Sequence, residues 1–499
     1  MPLIYDIPMF SILLVLMSAM VIPFFSKKSW GLNLVRGVEV VVAALSAVLL
    51  VQLSESGESF TYQMGHFPAP WGNLLRCGPL EALLALVFSV VMILSLCAGA
   101  EDIRRDVRAD RQGSYCVLMQ LLFGALLAMI YTDDLFTAYV FIEIAAVTAC
   151  MAVVAKESGR SVVSAIRYLI FSCLGSGLVL LGIALLYCIT GQLLFSSLEQ
   201  AVLELVASRT YTLPLVVSAL LMTLGLSIKS AQFPFHAWLP DAHASATTAS
   251  SAVLSGLVLK GYLIILLKLI LRVYGPSLLA TTYMDDLLFL LGLTGMLFAS
   301  VAALRQEEVK SMIAYSSSAQ ISYIFLGLGL GTDAGLIAAC YQILAHAMTK
   351  SMIFSGAGAM IRASNRGHYW SQLRGATRRA PLGGLAFTVG GLSLCGLPLL
   401  AAFSAKYCLA IAALDAQWQT APALFGLAAS SVLNAMYYIP AILAIWGRGG
   451  EGEKLPWKWE REGALVLFLL CNVVLGTAFG PIRDLIEQGL NLFYSNFQN

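Results

Sequence analysis

The chain has 499 residues, of which 59% are hydrophobic and only 12% charged, with a net charge of +2 and a mean hydropathy of +0.82. An ordinary soluble protein carries about 25% charged residues. The composition therefore excludes the three soluble domains that the length alone would suggest, and the small net charge does not point to nucleic acid as a partner.

Apolar runs of about 20 residues, the length that crosses a bilayer, recur along the whole chain. They predict fourteen spans, at 4–25, 31–53, 78–99, 114–131, 134–154, 163–188, 212–233, 247–271, 284–304, 309–330, 334–360, 383–413, 421–446 and 463–482. The first run, Ile7 to Phe25, has no basic residue before it, and Lys27 and Lys28 follow it. A secretory signal has the opposite order, so an uncleaved first helix is expected, with its N-terminus outside. The ten cysteines form no CxxC pair, and most lie in apolar runs. They read as small apolar side chains rather than as zinc or iron–sulfur ligands.

Glu143 stands midway along the fifth span, in LFTAYVFIEIAAVTACMAVV. A lone buried carboxylate is costly, so it is either held neutral or faces a cation. The seventh span runs into Lys229, in LLMTLGLSIKSAQFPFHAWLP, with Pro234 and Pro240 behind it. Proline removes a helix hydrogen bond, and a bilayer tolerates that only where protein or a watery cavity satisfies the freed backbone. Burial disfavours an ammonium and a nearby carboxylate favours it. A lysine between the two can load and release a proton as its partner moves, whereas arginine does not deprotonate in proteins. His236 and His243 flank Pro240 and are candidates for lining a proton entry, with helix capping or loop packing as the equal alternative.

Lys260 lies about thirteen residues into the eighth span, or about 20 Å along a helix, too deep to reach the cytoplasmic face easily. Lys268 and Arg272 lie nearer the other end and are expected to snorkel. His346 and Lys350, four apart in the eleventh span, share a helix face. Histidine titrates near neutrality and can relay a proton, or it can bond a neighbouring carbonyl. His346 is the one histidine deep in a span, so there is no bis-histidine pair for haem. In the twelfth span Gly396 and Pro398 interrupt LCGLPLLAAFSAK. Lys406 follows the break, as a gate or exit group or as a residue reaching the outer interface. An ammonium near the bilayer centre costs on the order of 2.5–3.5 kcal/mol. Four such residues, Lys229, Lys260, Lys350 and Lys406, point to use of the charge, against structural ion pairs or snorkelling as the alternative.

The loops orient the chain. Lys27 and Lys28; Arg104, Arg105, Arg108 and Arg111; Lys156 and Arg160; Arg305; the arginines at 362, 366, 374, 378 and 379; and Arg448, Lys454, Lys458 and Arg461 all fall in odd-numbered loops. Even loops hold little besides Arg76, Arg209 and Arg272. Basic residues collect on the cytoplasmic side, so both termini are expected outside. The two broken spans, seven and twelve, are five apart. An odd unit repeated once is inverted in the membrane, and paired interrupted segments point to a transport site near the midplane.

LSIKSAQFPFHAWLPDAHASATTASSAVLSGLVLKGY strongly resembles the proton-antiporter membrane module of respiratory complex I, membrane-bound hydrogenases (formate hydrogenlyase included) and Mrp-type sodium/proton antiporters. EEVKSMIAYSSSAQISYIFLGLGLGT, LAHAMTKSMIFSGAGAMI and LSLCGLPLLAAFSAKY extend the match over roughly residues 60 to 450. The resemblance implies an all-α polytopic membrane protein with two inverted five-helix repeats, 114–271 and 284–446. A three-helix segment, 1–113, would precede them and a C-terminal helix, 463–499, would follow. It implies Glu143 and Lys229 as the pair of the first half-channel, Lys260 as the connecting lysine, His346 and Lys350 as the second half-channel, and Lys406 as the terminal lysine. It implies proton translocation, with sodium as the other candidate ion, and no cofactor held by the chain itself. It further implies other membrane subunits, homologous chains among them, in a prokaryotic plasma membrane. The departures are Gln342 where some members have a second histidine, Glu81 where aspartate is usual, and LLAAFSAKY without the common second proline and glycine. No long lateral helix is expected after the last span in the sequence as it stands. A solute transporter and a quinone- or haem-binding redox subunit are the competing classes.

Overall fold

A computed structural model describes residues 3–25, 30–67 and 72–493; Lys27 and Lys28 lie outside them. Long apolar stretches punctuated by Gly, Pro and capping residues give helices almost throughout. They begin with α1 (Ile7–Phe25), α2 (Trp30–Ser56), α3 (Pro79–Ala98), the short α4 (Ala100–Asp106), α5 (Gln112–Tyr131), α6 (Leu135–Val154) and α7 (Gly159–Thr190). The Asp134 carboxylate accepts from the Thr137 amide to start α6, Ser158 does the same for Ser161 at α7, and left-handed Gly191 ends α7. These partners meet backbone groups that a helix end otherwise leaves bare.

The amphipathic α8 (Phe195–Ala207) leads to α9 (Thr212–Lys229) and, after a break, α10 (Trp238–Ser245). The eighth expected span is α11 (Thr248–Val253), a π-wound turn (Leu254–Val258), α12 (Leu259–Leu269) and a second π-wound turn (Ile270–Tyr274), followed by α13 (Gly275–Thr281). Then come α14 (Met284–Leu304), α15 (Val309–Gly329), α16 (Asp333–Ala363), α17 (Ala376–Arg379), α18 (Pro381–Cys395), α19 (Ala401–Leu414), α20 (Thr420–Trp446), α21 (Trp459–Thr477) and α22 (Phe479–Phe493). One small antiparallel hairpin, β1 (Phe60–Gln63) against β2 (Leu74–Cys77), pairs Phe60 with Cys77 and Gln63 with Leu74. It is a strand pair that the all-helical reading did not contain.

Among the described residues ten helices are long and apolar enough to cross a membrane, or eleven if α21 and α22 count as one span bent by 76°. The difference from fourteen has local causes. α15 and α16 lie where spans ten and eleven were expected, but their serines and glutamines lower their apolarity. The twelfth expected span is split between α18 and α19, of 15 and 14 residues. The last ends at the bend rather than at 482. Every residue of α12 is buried, and α15 and α16 are buried nearly all round. Protein rather than lipid faces these helices, so they can carry polar side chains.

Ion pairs gather the loops into two sets. At one end Arg104 pairs with Glu460 at 3.2 Å, Arg461 with Glu101 at 2.6 Å, Arg362 with Asp102 at 3.0 Å, Lys156 with Asp106 at 3.7 Å and Arg160 with Glu308 at 2.7 Å. A backbone bridge ties Glu308 to Tyr369. At the other end Leu75 bridges Thr132, Asp134 bridges Leu194, and Arg272 pairs with Asp133.

Lys268 and Arg272 do not snorkel. Each is 2% exposed. Lys268 Nζ donates to the carbonyls of Met129, Ile130 and Thr132 at 3.1, 2.6 and 2.9 Å, closing the end of α5. Three carbonyls hold the Lys268 ammonium, and Asp133 pairs with Arg272, so both cations are held by protein groups.

Candidate functional site

Two glycines set the first pair. A Cβ on Gly175 would lie 2.8 Å from the Gly225 carbonyl oxygen, and one on Gly225 would lie 2.5 Å from that of Gly175. Glycine alone therefore permits the close crossing of α7 and α9. The crossing presses Lys229, the last residue of α9, against α7. Its ammonium donates to Ser172 Oγ at 3.0 Å and stands 3.1 Å from Glu143 Oε1 on α6. Ser176 Oγ donates to the same carboxylate oxygen. The Tyr262 ring, from the helix that carries Lys260, lies 5.5 Å from the ammonium. The lysine side chain is fully enclosed, whereas a third of the glutamate's is open. The opening is on the outer face of α6, beside the exposed Val140 and Val147.

Deeper in the chain the cations have no carboxylate partner among the described residues. Lys260 donates to the Ser255 carbonyl, which belongs to the π-wound turn just before it. Lys350 donates to the Ile313 carbonyl at 3.0 Å, Ser316 Oγ at 2.8 Å and Tyr438 Oη at 3.3 Å. His346 is fully buried, and its ring nitrogens have no hydrogen-bond partner among the described residues. Lys260 and Lys350 are its electrostatic neighbours. Lys406 donates to the Leu394 carbonyl at 2.6 Å and Ser431 Oγ at 3.0 Å, with the Tyr323 ring 5.3 Å away. Its site is the break between α18 and α19, where Gly396 takes a left-handed φ of 99°.

The two candidate entry histidines separate. His236 is partly exposed and packs between Phe233 and Tyr315. His243 is fully buried and stacked on Phe354, with Lys310, Lys350 and Lys260 as electrostatic neighbours. Gln342 donates to Gln320 Oε1 at 2.9 Å, and Glu81 accepts from the Gly78 amide at 3.0 Å as a helix-start partner.

The sequence reading missed the groups between Lys350 and Lys406. The Tyr437 and Tyr438 rings lie 4.9 Å apart, Tyr437 Oη donates to Asn434 Oδ1, and Asn434 Nδ2 donates at 3.2 Å to the Leu394 carbonyl that also receives Lys406. The stretch LNAMYYIPAI was the available signal, since it puts an amide and two phenols inside an apolar span. A line of ammonium, imidazole, phenol and amide groups can pass protons. Among the described residues no cluster of three or more His, Cys, Asp or Glu is placed to hold a metal.

Residues 132–432 match the family described as NADH:quinone oxidoreductase/Mrp antiporter, transmembrane. The chain is 34% identical to NADH-quinone oxidoreductase subunit N of Desulforudis audaxviator over 409 residues, covering 80% of this chain and 78% of that one. It is 25% identical to a Na(+)/H(+) antiporter chain of Bacillus subtilis over 483 residues, 96% of this chain and 95% of that one. It superposes on a chain of the membrane-bound sulfane sulfur reductase, an archaeal respiratory membrane complex, with a TM-score of 0.87 and 28% identity, covering 98% of each. The chain belongs to the NADH:quinone oxidoreductase/Mrp antiporter transmembrane family.

Proposed function

We propose that this chain moves protons through a line of buried groups as an antiporter-like membrane subunit of a redox-driven respiratory or hydrogenase complex. The observation that carries the reading is the Glu143–Lys229 pair, 3.1 Å apart and followed by Lys260, Lys350 and Lys406, whose partners among the described residues are neutral groups. A charge change in a neighbouring subunit acts on Glu143 through its open edge. Separation of the pair removes the carboxylate that favours the ammonium, and the proton moves toward Lys260 and His346. Lys350 and Lys406, joined through Tyr438, Tyr437 and Asn434, exchange with the outer side.

We assign fourteen crossings, two inverted five-helix repeats at 114–271 and 284–446, and both termini outside in a prokaryotic inner membrane. Two features support the assignment. The odd loops are ion-paired with one another at one end of the molecule, and the even loops meet at the other. The helices α5, α6, α7 and α9 pack in succession, as do α14, α15, α16 and α18.

The similarity to a Na(+)/H(+) antiporter chain over 96% of this one keeps sodium/proton exchange without a redox partner as the second reading. Glu143→Gln and Lys229→Ala should each abolish pumping in vesicles carrying the whole complex, while native gels show normal assembly. Pumping retained in either variant refutes the reading. A pH gradient that collapses on sodium addition, with no redox substrate present, selects the second.

A further inference from the structure

Lys310 was not among the residues that the sequence singled out. It stands in the first turn of α15, is 4% exposed, and donates at 2.8 Å to the Ala246 carbonyl at the corner between α10 and α11. One side of it is a cleft whose walls include Asp102, Asp106, Lys156, Arg366 and His368. Asp106 is held at this cleft by Lys156 at 3.7 Å and Arg366 at 3.3 Å, and Arg362 holds Asp102 at 3.0 Å. Three residues before Ala246 stands the fully buried His243, whose two ring nitrogens have no hydrogen-bond partner among the described residues. Lys310, Lys350 and Lys260 all act electrostatically on that ring. Lys310 thus belongs both to the wall of a charged cleft and to the surroundings of the buried line. His368, in the loop after α16, is held below the usual imidazole range by burial and by the cations Lys310 and Lys156. It is therefore neutral near pH 7 and free to accept a proton.

We propose that Lys310 is the loading residue of the proton line, taking protons from the Asp102–Asp106–His368 cleft and delivering them to His243. The Lys310 ammonium gives one proton to the His243 imidazole, His243 passes it on to the Lys260–His346–Lys350 group, and the neutral Lys310 amine is reprotonated from the cleft. This deepens the proton-translocation reading and rests on it. His236, packed between Phe233 and Tyr315, is not part of the proposed route.

Lys310→Arg tests the route. Arginine keeps the charge and a donor for the Ala246 carbonyl but does not deprotonate, so a structural role survives the exchange and proton delivery does not. The assay is acridine-dye quenching in inverted membrane vesicles that carry the whole complex, energised by its own electron donor. The expected result is normal assembly with loss of most of the pumping. Full pumping in Lys310→Arg overturns the route. Where Lys310→Arg does not assemble, Asp106→Asn in the cleft wall is read instead: slowed pumping supports the route and unchanged pumping overturns it. Glu143→Gln in the same vesicles separates the two ideas. Its loss of pumping beside an active Lys310→Arg rejects the loading residue alone, and its retention of pumping rejects both.

Discussion

The number and kind of its partners decide what a buried cation can do. Lys268 directs its hydrogens at three carbonyls of one helix end, and Arg272 pairs with the equally buried Asp133. Such groups hold still. Lys260 and Lys310 each have a single carbonyl partner, and Lys229 shares one carboxylate oxygen with Ser176. Fewer bonds hold these ammonium groups in place, so a change nearby moves them more. Lys268→Met should therefore destabilise the protein, because buried carbonyls that lose a donor cost about 1–3 kcal/mol each. The check is thermal unfolding in detergent, where Lys268→Met should melt clearly below the parent protein; an unchanged melting temperature would show that the α5 end does not need its lysine. The sequence could mark Lys229, Lys260, Lys350 and Lys406 because each stands out in an apolar run or beside a proline. It could not separate Lys268 from a snorkelling residue or pick out Lys310. Both lie near the ends of apolar runs, and depth there depends on which helices pack around them.

Helix breaks put the lysines in place. The break after α18 was legible from Gly396 and Pro398, and the break after α9 from Pro234 and Pro240. The two π-wound turns flanking α12 were not legible, because Leu254–Val258 and Ile270–Tyr274 contain no proline and read as ordinary helix. Yet the first supplies the carbonyl that receives Lys260. At the α18–α19 break the chain needs a second left-handed residue, and Leu399 fills that place with φ of 70°. A side chain there costs roughly 1–2 kcal/mol. α21 accommodates the turn with Gly476, where a Cβ would collide with the Leu399 carbonyl oxygen. Leu399→Gly should relieve the strain and stabilise the fold by about 0.5–1 kcal/mol after the added chain entropy of glycine. A small rise in melting temperature reports it; a fall would mean that the exposed leucine side chain matters more than the backbone. The absence of the usual glycine thus marks a strained turn beside Lys406 rather than a missing break.

The whole molecule sorts its charge by end. The basic loops that the sequence numbered odd are also the loops whose arginines and lysines meet each other's carboxylates, from Arg104 with Glu460 to Arg160 with Glu308. The even loops meet at the opposite end through Asp133, Arg272 and the β2 bridge. This two-ended sorting was legible because basic residues resist translocation, and it does not depend on how apolar each helix is. In the proposed reading of fourteen crossings, α15, α16, the α18–α19 pair and α21 are added to the ten strongly apolar helices found among the described residues. In the proposed orientation the Lys310 cleft faces the cytoplasm, where a proton pumped outward must enter, and Lys406 stands on the exit side of the line. Arg108 and Arg209 are both exposed, in the third and sixth loops. Cysteine introduced at Arg108 should react with a membrane-impermeant maleimide only in inverted vesicles, and cysteine at Arg209 only in right-side-out cells. Reaction of both from one face would break the span parity. Reaction of each from the face opposite to that expected would keep the parity but invert the molecule, making the cleft beside Lys310 an exit.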